Sequence, residues 1–186
     1  MLDIVFFGKP GSGKWTQAEL LNLALSDQLS PLSTGDVFRT LTSQSNAIGN
    51  YVTDRMNAWF LIDDQVTISI FNAYFYTVLD MGKAMLLDGY PRTIVQMESF
   101  LQLCEDKKRM VIWLNFELDD EITVQRMMNR AREGEDEAVM KNRLKQYYIH
   151  TSPLIDRFAQ SFPLATIDAS GIIEDVHKEV MKIIES

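Results

Sequence analysis

The stretch Gly8-Lys9-Pro10-Gly11-Ser12-Gly13-Lys14 has the spacing G-x-x-x-x-G-K, and these residue types at this spacing suit the holding of phosphate. Glycines let the backbone turn back with its N–H groups facing inward, the N-terminus of a following helix adds its positive end, and a lysine supplies a point charge. A glycine-rich loop after a strand can be only a tight turn; a lysine, with a strand before and a helix after, is the context that phosphate binding requires. Directly after the lysine, many such loops carry Ser or Thr facing a magnesium ion. Here that position is Trp15, and the hydroxyl comes one residue later, at Thr16.

Such a loop must be carried by a sheet. Residues 2–7 form a short apolar run that ends at the glycines, as expected of a strand buried on both faces of a parallel sheet. Similar runs recur at 84–88, 110–116 and 164–168, with a short fifth strand near 30–33. Apolar residues at helical spacing predict helices over 16–25, 64–79, 96–104, 119–130, 137–158 and 172–184. This alternation points to an α/β fold with a doubly wound, five-stranded parallel sheet. Two stretches interrupt it. Residues 36–79 read as helix after helix, long enough for a small helical subdomain on one edge of the sheet, and a charged turn, Ala-Arg-Glu-Gly-Glu-Asp, separates Arg130 from Glu137. Both are candidate moving parts.

Composition narrows the setting. The 186 residues suffice for one compact domain. Eighteen basic against 26 acidic side chains give a net charge of -8, which offers no general grip on nucleic acid. The single Cys104 excludes an internal disulfide and fits a reducing compartment, while His150 and His177 read as surface residues that make no metal-ligand set. No signal-peptide pattern or membrane-length apolar stretch is present. The expectation is a cytoplasmic protein with no membrane partner.

The stretch G-K-P-G-S-G-K-W-T-Q closely resembles the adenylate kinase signature, in which the loop lysine is followed by Gly-Thr-Gln. Ser33-Thr34-Gly35-Asp36-Val37-Phe38-Arg39 resembles that family's S-[ST]-G-D-x-x-R segment, and Asp88-Gly89-Tyr90-Pro91-Arg92-Thr93 its D-G-[FY]-P-R-T motif. Arg143-Leu144 followed by Tyr147, and Thr151-Ser152-Pro153-Leu154, are similar to its R-L-x-x-Y and T-x-P segments. Order and spacing agree from residue 2 to about residue 180.

The resemblance, to the short-lid form of these nucleoside monophosphate kinases, implies a P-loop NTPase-type fold, with 36–79 as the monophosphate-binding subdomain and 129–138 as the lid. It implies a monomer that transfers a phosphoryl group reversibly from Mg-ATP to AMP, giving two ADP, with Mg2+ as cofactor. It assigns Gly11, Ser12, Gly13, Lys14, Trp15, Thr16, Arg126 and Gly171 to ATP. To AMP it assigns Thr34, Gly35, Arg39, Met56, Leu61, Ile62, Val66, Gly89, Arg92 and Gln96. Lys14, Arg92, Arg143 and the lid arginines Arg130 and Arg132 become the catalytic cations, and Asp88 holds the metal through water.

Several positions keep a second reading. Asp88 could be a helix N-cap, Thr34 the cap of the helix at Asp36, and Gln96 an exposed helix residue. Met56, Leu61, Ile62 and Val66 suit the core of the helical subdomain equally well, and Arg130 and Arg132 suit a charged helix end. Thr34 and Gln96 match adenine-reading positions where the related UMP/CMP kinases tend to carry Ala and Asn, so both favour AMP over a UMP/CMP kinase. Three departures stand out. Trp15 replaces a family glycine, and an indole crowding the metal or the β-phosphate would impair turnover, in the extreme leaving a nucleotide-binding homologue with little catalysis. Trp59-Phe60-Leu61-Ile62-Asp63-Asp64 stands where the family reads G-x-L-V-P-D, and loss of Gly and Pro is expected to alter the turn and its mobility. In the lid, Gly134 is followed by Glu135 where the family has an arginine.

Overall fold

A computed structural model of the chain describes residues 2–58, 60–80, 82–129 and 137–185. The five strands are β1 (Leu2–Gly8), β2 (Leu29–Ser33), β3 (Ala84–Asp88), β4 (Met110–Glu117) and β5 (Leu164–Asp168). They form one all-parallel sheet in the order β2-β3-β1-β4-β5. The expected α/β architecture is therefore present, with each predicted strand in place. Side chains of a strand alternate between faces. Along β1, Val5 and Phe7 enter one core cluster with Trp113, Phe100 and Phe158, while Ile4 and Phe6 enter a second with Leu21, Leu114 and Val180. That double burial is why β1 reads as a continuous apolar run.

Helix α1 (Lys14–Ala24) follows the glycine loop. Three helices, α2 (Thr34–Thr42), α3 (Ala47–Asn57) and α4 (Asp64–Thr77), then run without an intervening strand. Helix α5 (Ile94–Asp106) follows β3, and α6 (Asp120–Asn129) follows β4. The single helix expected over 137–158 is instead α7 (Glu137–Gln146), a π-helical turn (Tyr147–Thr151) and α8 (Ser152–Ala159). A wider turn inserted into an α-helix shifts the side chains beyond it without breaking the chain's course, so apolar periodicity alone does not reveal it. Helix α9 (Ile173–Ile184) closes the fold, and no helix among the described residues is long and apolar enough to cross a membrane.

The N-terminal edge of the sheet is locked by one ion pair. Arg109 Nε and Nη2 donate to the two carboxylate oxygens of Asp3, each at 2.6 Å, and Asp3 Oδ1 also accepts the Met85 N–H at 2.7 Å. Asp3 is fully buried. Its charge is tolerated because both oxygens are occupied. All strands being parallel, the opposite, carboxyl-terminal edge is where an open sheet of this kind binds ligands.

Candidate active site

Strand β1 ends at Gly8 and strand β3 at Asp88, on adjacent strands at the carboxyl edge. Gly8 has φ 135°, and a Cβ there would lie 2.5 Å from the Phe116 carbonyl oxygen, so only glycine lets the chain leave β1 in this direction. Gly11 and Gly13 also have positive φ, and α1 begins directly at Lys14, aiming its first N–H groups at the loop. Lys14 Nζ donates to Gly8 O at 2.9 Å, to Lys9 O at 2.7 Å and to Ser12 Oγ at 3.2 Å. Burial pulls its pKa down to about 8; Asp88 opposes that fall, and Arg92 and Arg143 add to it. Arg92 in turn loses proton affinity to lost hydration, is supported by Asp88 and is repelled by Arg39. Four cations and one carboxylate thus share one electrostatic neighbourhood.

Local bonds hold these groups. Arg92 Nε donates to Gly89 O at 2.9 Å, and Arg39 is ion-paired to Asp36 one helical turn away. Asp88 is half-buried and caps no helix, since Thr93 is the N-cap of α5. Thr34 is likewise not a cap: Ser33 takes that role for α2, and the Thr34 hydroxyl donates to Gly89 O at 2.8 Å. Gln96 is 2% exposed, contrary to the reading of an exposed helix residue. Its Oε1 accepts the Arg92 N–H at 2.8 Å and its Nε2 donates to Asp64 Oδ1 at 2.8 Å. A carboxamide has two lone pairs and two N–H groups. One of each remains for a ligand.

Gly89 joins these parts. Its φ is 87°, and a Cβ would sit 2.7 Å from Thr34 Oγ1 and 2.9 Å from Arg92 Nη2. Gly89→Ala is therefore expected to raise the KM for the monophosphate by about tenfold or more, with a smaller change in KM for the triphosphate, in steady-state kinetics. Equal effects on both would mean that Gly89 does not serve one subsite.

The remaining predicted residues divide among three places. A cavity of about 700 Å3 is lined by Gly11, Ser12, Gly13, Thr16, Arg126 and Gly171 together with the segment 169–174. Arg126 shapes it by donating to Ala169 O at 2.8 Å and Ser170 O at 3.1 Å. Trp15 does not line this cavity. Its indole, 45% exposed, borders a separate groove with Pro31, Leu32, Asp36 and Tyr74, so it points toward β2, α2 and α4. Met56, Leu61 and Val66 are half-buried and Ile62 is buried, a placement that suits both a base pocket and packing within the helical subdomain. Arg130 and Arg132 lie outside the described residues, as does most of the lid segment 129–138.

The turn that departs from G-x-L-V-P-D is secured by other means. Arg55 donates twice to Leu61 O, at 3.1 and 2.7 Å, and covers the Phe60 ring at 5.2 Å, while Asp63 caps α4 and its own N–H donates to Tyr51 Oη at 3.2 Å. His177, read as a surface residue, is half-buried and pairs with Gln17 Oε1 at 3.0 Å; Gln17 Nε2 donates to Ile173 O at 3.0 Å. This pair ties α1 to the cavity wall, and no spacing in the sequence signals it. Among the described residues no group of three or more His, Cys, Asp or Glu could hold a metal.

Comparison with known proteins gives a consistent picture. The family model described as adenylate kinase matches residues 6–162. An adenylate kinase of Prochlorococcus marinus is 38% identical over 180 residues, 95% of each chain. Others from Corynebacterium urealyticum and a Synechococcus strain are 34% and 36% identical, covering 97% and 93% of each chain respectively.

Proposed function

The chain belongs to the adenylate kinase family and catalyses phosphoryl transfer between ATP and AMP, and we propose that the cluster of Lys14, Asp88, Arg92 and Arg143 at the carboxyl edge of the sheet carries it. The observation behind this is the placement of Gly8 and Asp88 at the carboxyl ends of adjacent strands, with Lys14 bonded to Gly8 O and Arg92 to Gly89 O beside them. Lys14, now bonded to its own loop, exchanges those carbonyls for the phosphates of ATP, whose β- and γ-oxygens also receive the loop N–H groups. The nucleoside end of ATP occupies the cavity along Arg126 and Gly171. Arg39 and Arg92 hold the phosphate of AMP between them, and Arg143 faces the transferring group. An oxygen of the AMP phosphate attacks the γ-phosphorus, the bond to the bridging oxygen breaks, and two ADP result. Catalysis is by positioning and charge stabilisation, without a covalent intermediate.

A half-buried carboxylate beside a phosphate loop, Asp88, fits Mg2+, which keeps several waters and binds through one or two carboxylates plus substrate phosphates. Asp88 would hold it through water. Once bound, it neutralises charge on the phosphates. Helices α2–α4 form the monophosphate-binding unit, with Met56, Leu61, Ile62 and Val66 against the base; the family resemblance assigns the lid, with Arg130 and Arg132, to 129–138, most of which lies outside the described residues.

The acceptor is AMP. Gln96 is fixed by Arg92 and Asp64 with one N–H and one lone pair to spare, and Thr34 keeps its acceptor lone pairs, so both suit an adenine edge. The kcat/KM for AMP is expected to exceed that for CMP and UMP by about 100-fold or more in a coupled assay, because the wrong base leaves polar groups unpaired. Equal rates with CMP would refute the adenine reading.

A further inference from the structure

The phosphate loop contains a second lysine whose ammonium does not enter the site. Lys9 Nζ donates to Leu118 O at 2.6 Å and to Asp120 Oδ1 at 2.5 Å, across the junction of β4 and α6. The same Asp120 oxygen accepts the Tyr148 hydroxyl at 2.7 Å, and the Lys9 ammonium lies 5.5 Å from the centre of the Tyr148 ring. Lys9 is 17% exposed and has three partners on two distant segments, unlike an isolated surface ion pair of little worth. At the other end of the residue, the Lys9 carbonyl oxygen is one of the acceptors that hold Lys14. Tyr148 belongs to the π-helical turn that follows α7, the helix bearing Arg143, and Thr151 at the end of that turn donates to Arg92 O at 3.3 Å. A run of bonds therefore links Lys14, Lys9, Asp120 and Tyr148, and the π turn carries it on to Arg92. Turns of this type recur at functional sites, where they re-aim a helix.

We propose that Lys9, Asp120 and Tyr148 form a positioning clamp that sets Lys14, Arg92 and Arg143 relative to one another for phosphoryl transfer, a role that rests on the function assigned above. None of the three touches substrate. Their effect is on the geometry of groups that do, and small misplacement of reacting groups is costly to rate.

The test is steady-state kinetics with Mg-ATP and AMP on the full chain. Lys9→Met is expected to lower kcat about tenfold while KM for each nucleotide stays within about twofold. Lys9→Arg, which keeps the charge and can still donate to Asp120, recovers most of that loss. Tyr148→Phe removes only a half-exposed hydroxyl, keeps the protein testable should Lys9→Met fold poorly, and lowers kcat about threefold. The double variant Lys9→Met/Tyr148→Phe is no slower than Lys9→Met alone, since both act on one network. Parental kcat in Lys9→Met, a loss in KM alone, or losses that multiply in the double variant would each overturn the clamp. An active parent with an indifferent Lys9→Met removes the clamp and leaves the function; a parent without turnover removes both.

Discussion

Replacing Lys14 by Met is expected to lower kcat/KM for ATP by about 1000-fold or more, the scale on which single cations act at a transferring phosphoryl group. The variant should fold as the parent does. Among the described residues the Lys14 ammonium bonds to its own loop, and burial holds its pKa down at about 8 from an ordinary 10.5. Between those two values the unfolded chain binds the proton more tightly, so this group makes stability rise with pH from about 8 to about 10.5. The charged lysine thus costs the ligand-free fold something at neutral pH, and Lys14→Met should melt no lower than the parent. For activity the sign reverses. Phosphate needs the charged form, so kcat/KM for ATP should decline above about pH 8, the profile of kcat/KM reporting ionisations of free enzyme. Full activity in Lys14→Met, or a profile flat through pH 10, would count against the role of the lysine.

The second large effect lies at the opposite edge of the sheet and concerns stability alone. Asp3→Ala leaves the Arg109 guanidinium, the side chain of which is 9% exposed, without its carboxylate, and removes the acceptor of the Met85 N–H. Breaking a buried pair from one side costs about 3–5 kcal/mol, which for a chain of this size lowers the melting temperature by roughly 10 °C. Activity at low temperature should be almost unchanged, since the pair joins the starts of β1 and β4, with Met85 of β3 bonded to it, and the chemistry lies at the other ends of these strands. Replacing both partners by leucine should restore much of the loss, because the unpaired charge is then gone. Thermal melts of the parent and the two variants check this. A loss under about 1 kcal/mol in Asp3→Ala would show that the charge is solvated after all.

Much of this was legible in the sequence for physical reasons. The strands are buried on both faces, so their apolar runs stand out, and the glycine loop is dictated by backbone geometry that no other residue allows at Gly8. The arginines and Asp88 are assigned through motif resemblance alone, because a solvated arginine and a phosphate-binding one are the same residue type. What stayed hidden depends on contacts between segments far apart in the chain. The direction of Trp15 is set by β2, α2 and Tyr74 of α4, so a position expected to crowd the metal instead borders a groove. Lys9 could have been a loop charge in water; its pairing with Asp120, 111 positions on, has no local signature. The π turn left the apolar pattern of 137–158 intact. One signal was present and unread: Thr93 and Gln96 have the T-x-x-Q spacing of a capping box, with the glutamine reaching back to the Arg92 N–H in place of the cap residue's own. That spacing would have marked Gln96 as a buried, bonded side chain.

The most direct measurement is ADP production by the unaltered chain with Mg-ATP and AMP in a coupled assay, with Trp15→Gly measured beside it. Because the indole lies outside the large cavity along the loop, the parent should turn over at about 10 per second or faster, an ordinary enzyme rate, and Trp15→Gly should differ from it by no more than about threefold, well under one kcal/mol of barrier. A parent that binds both nucleotides yet forms no ADP until Trp15 is removed would contradict the account.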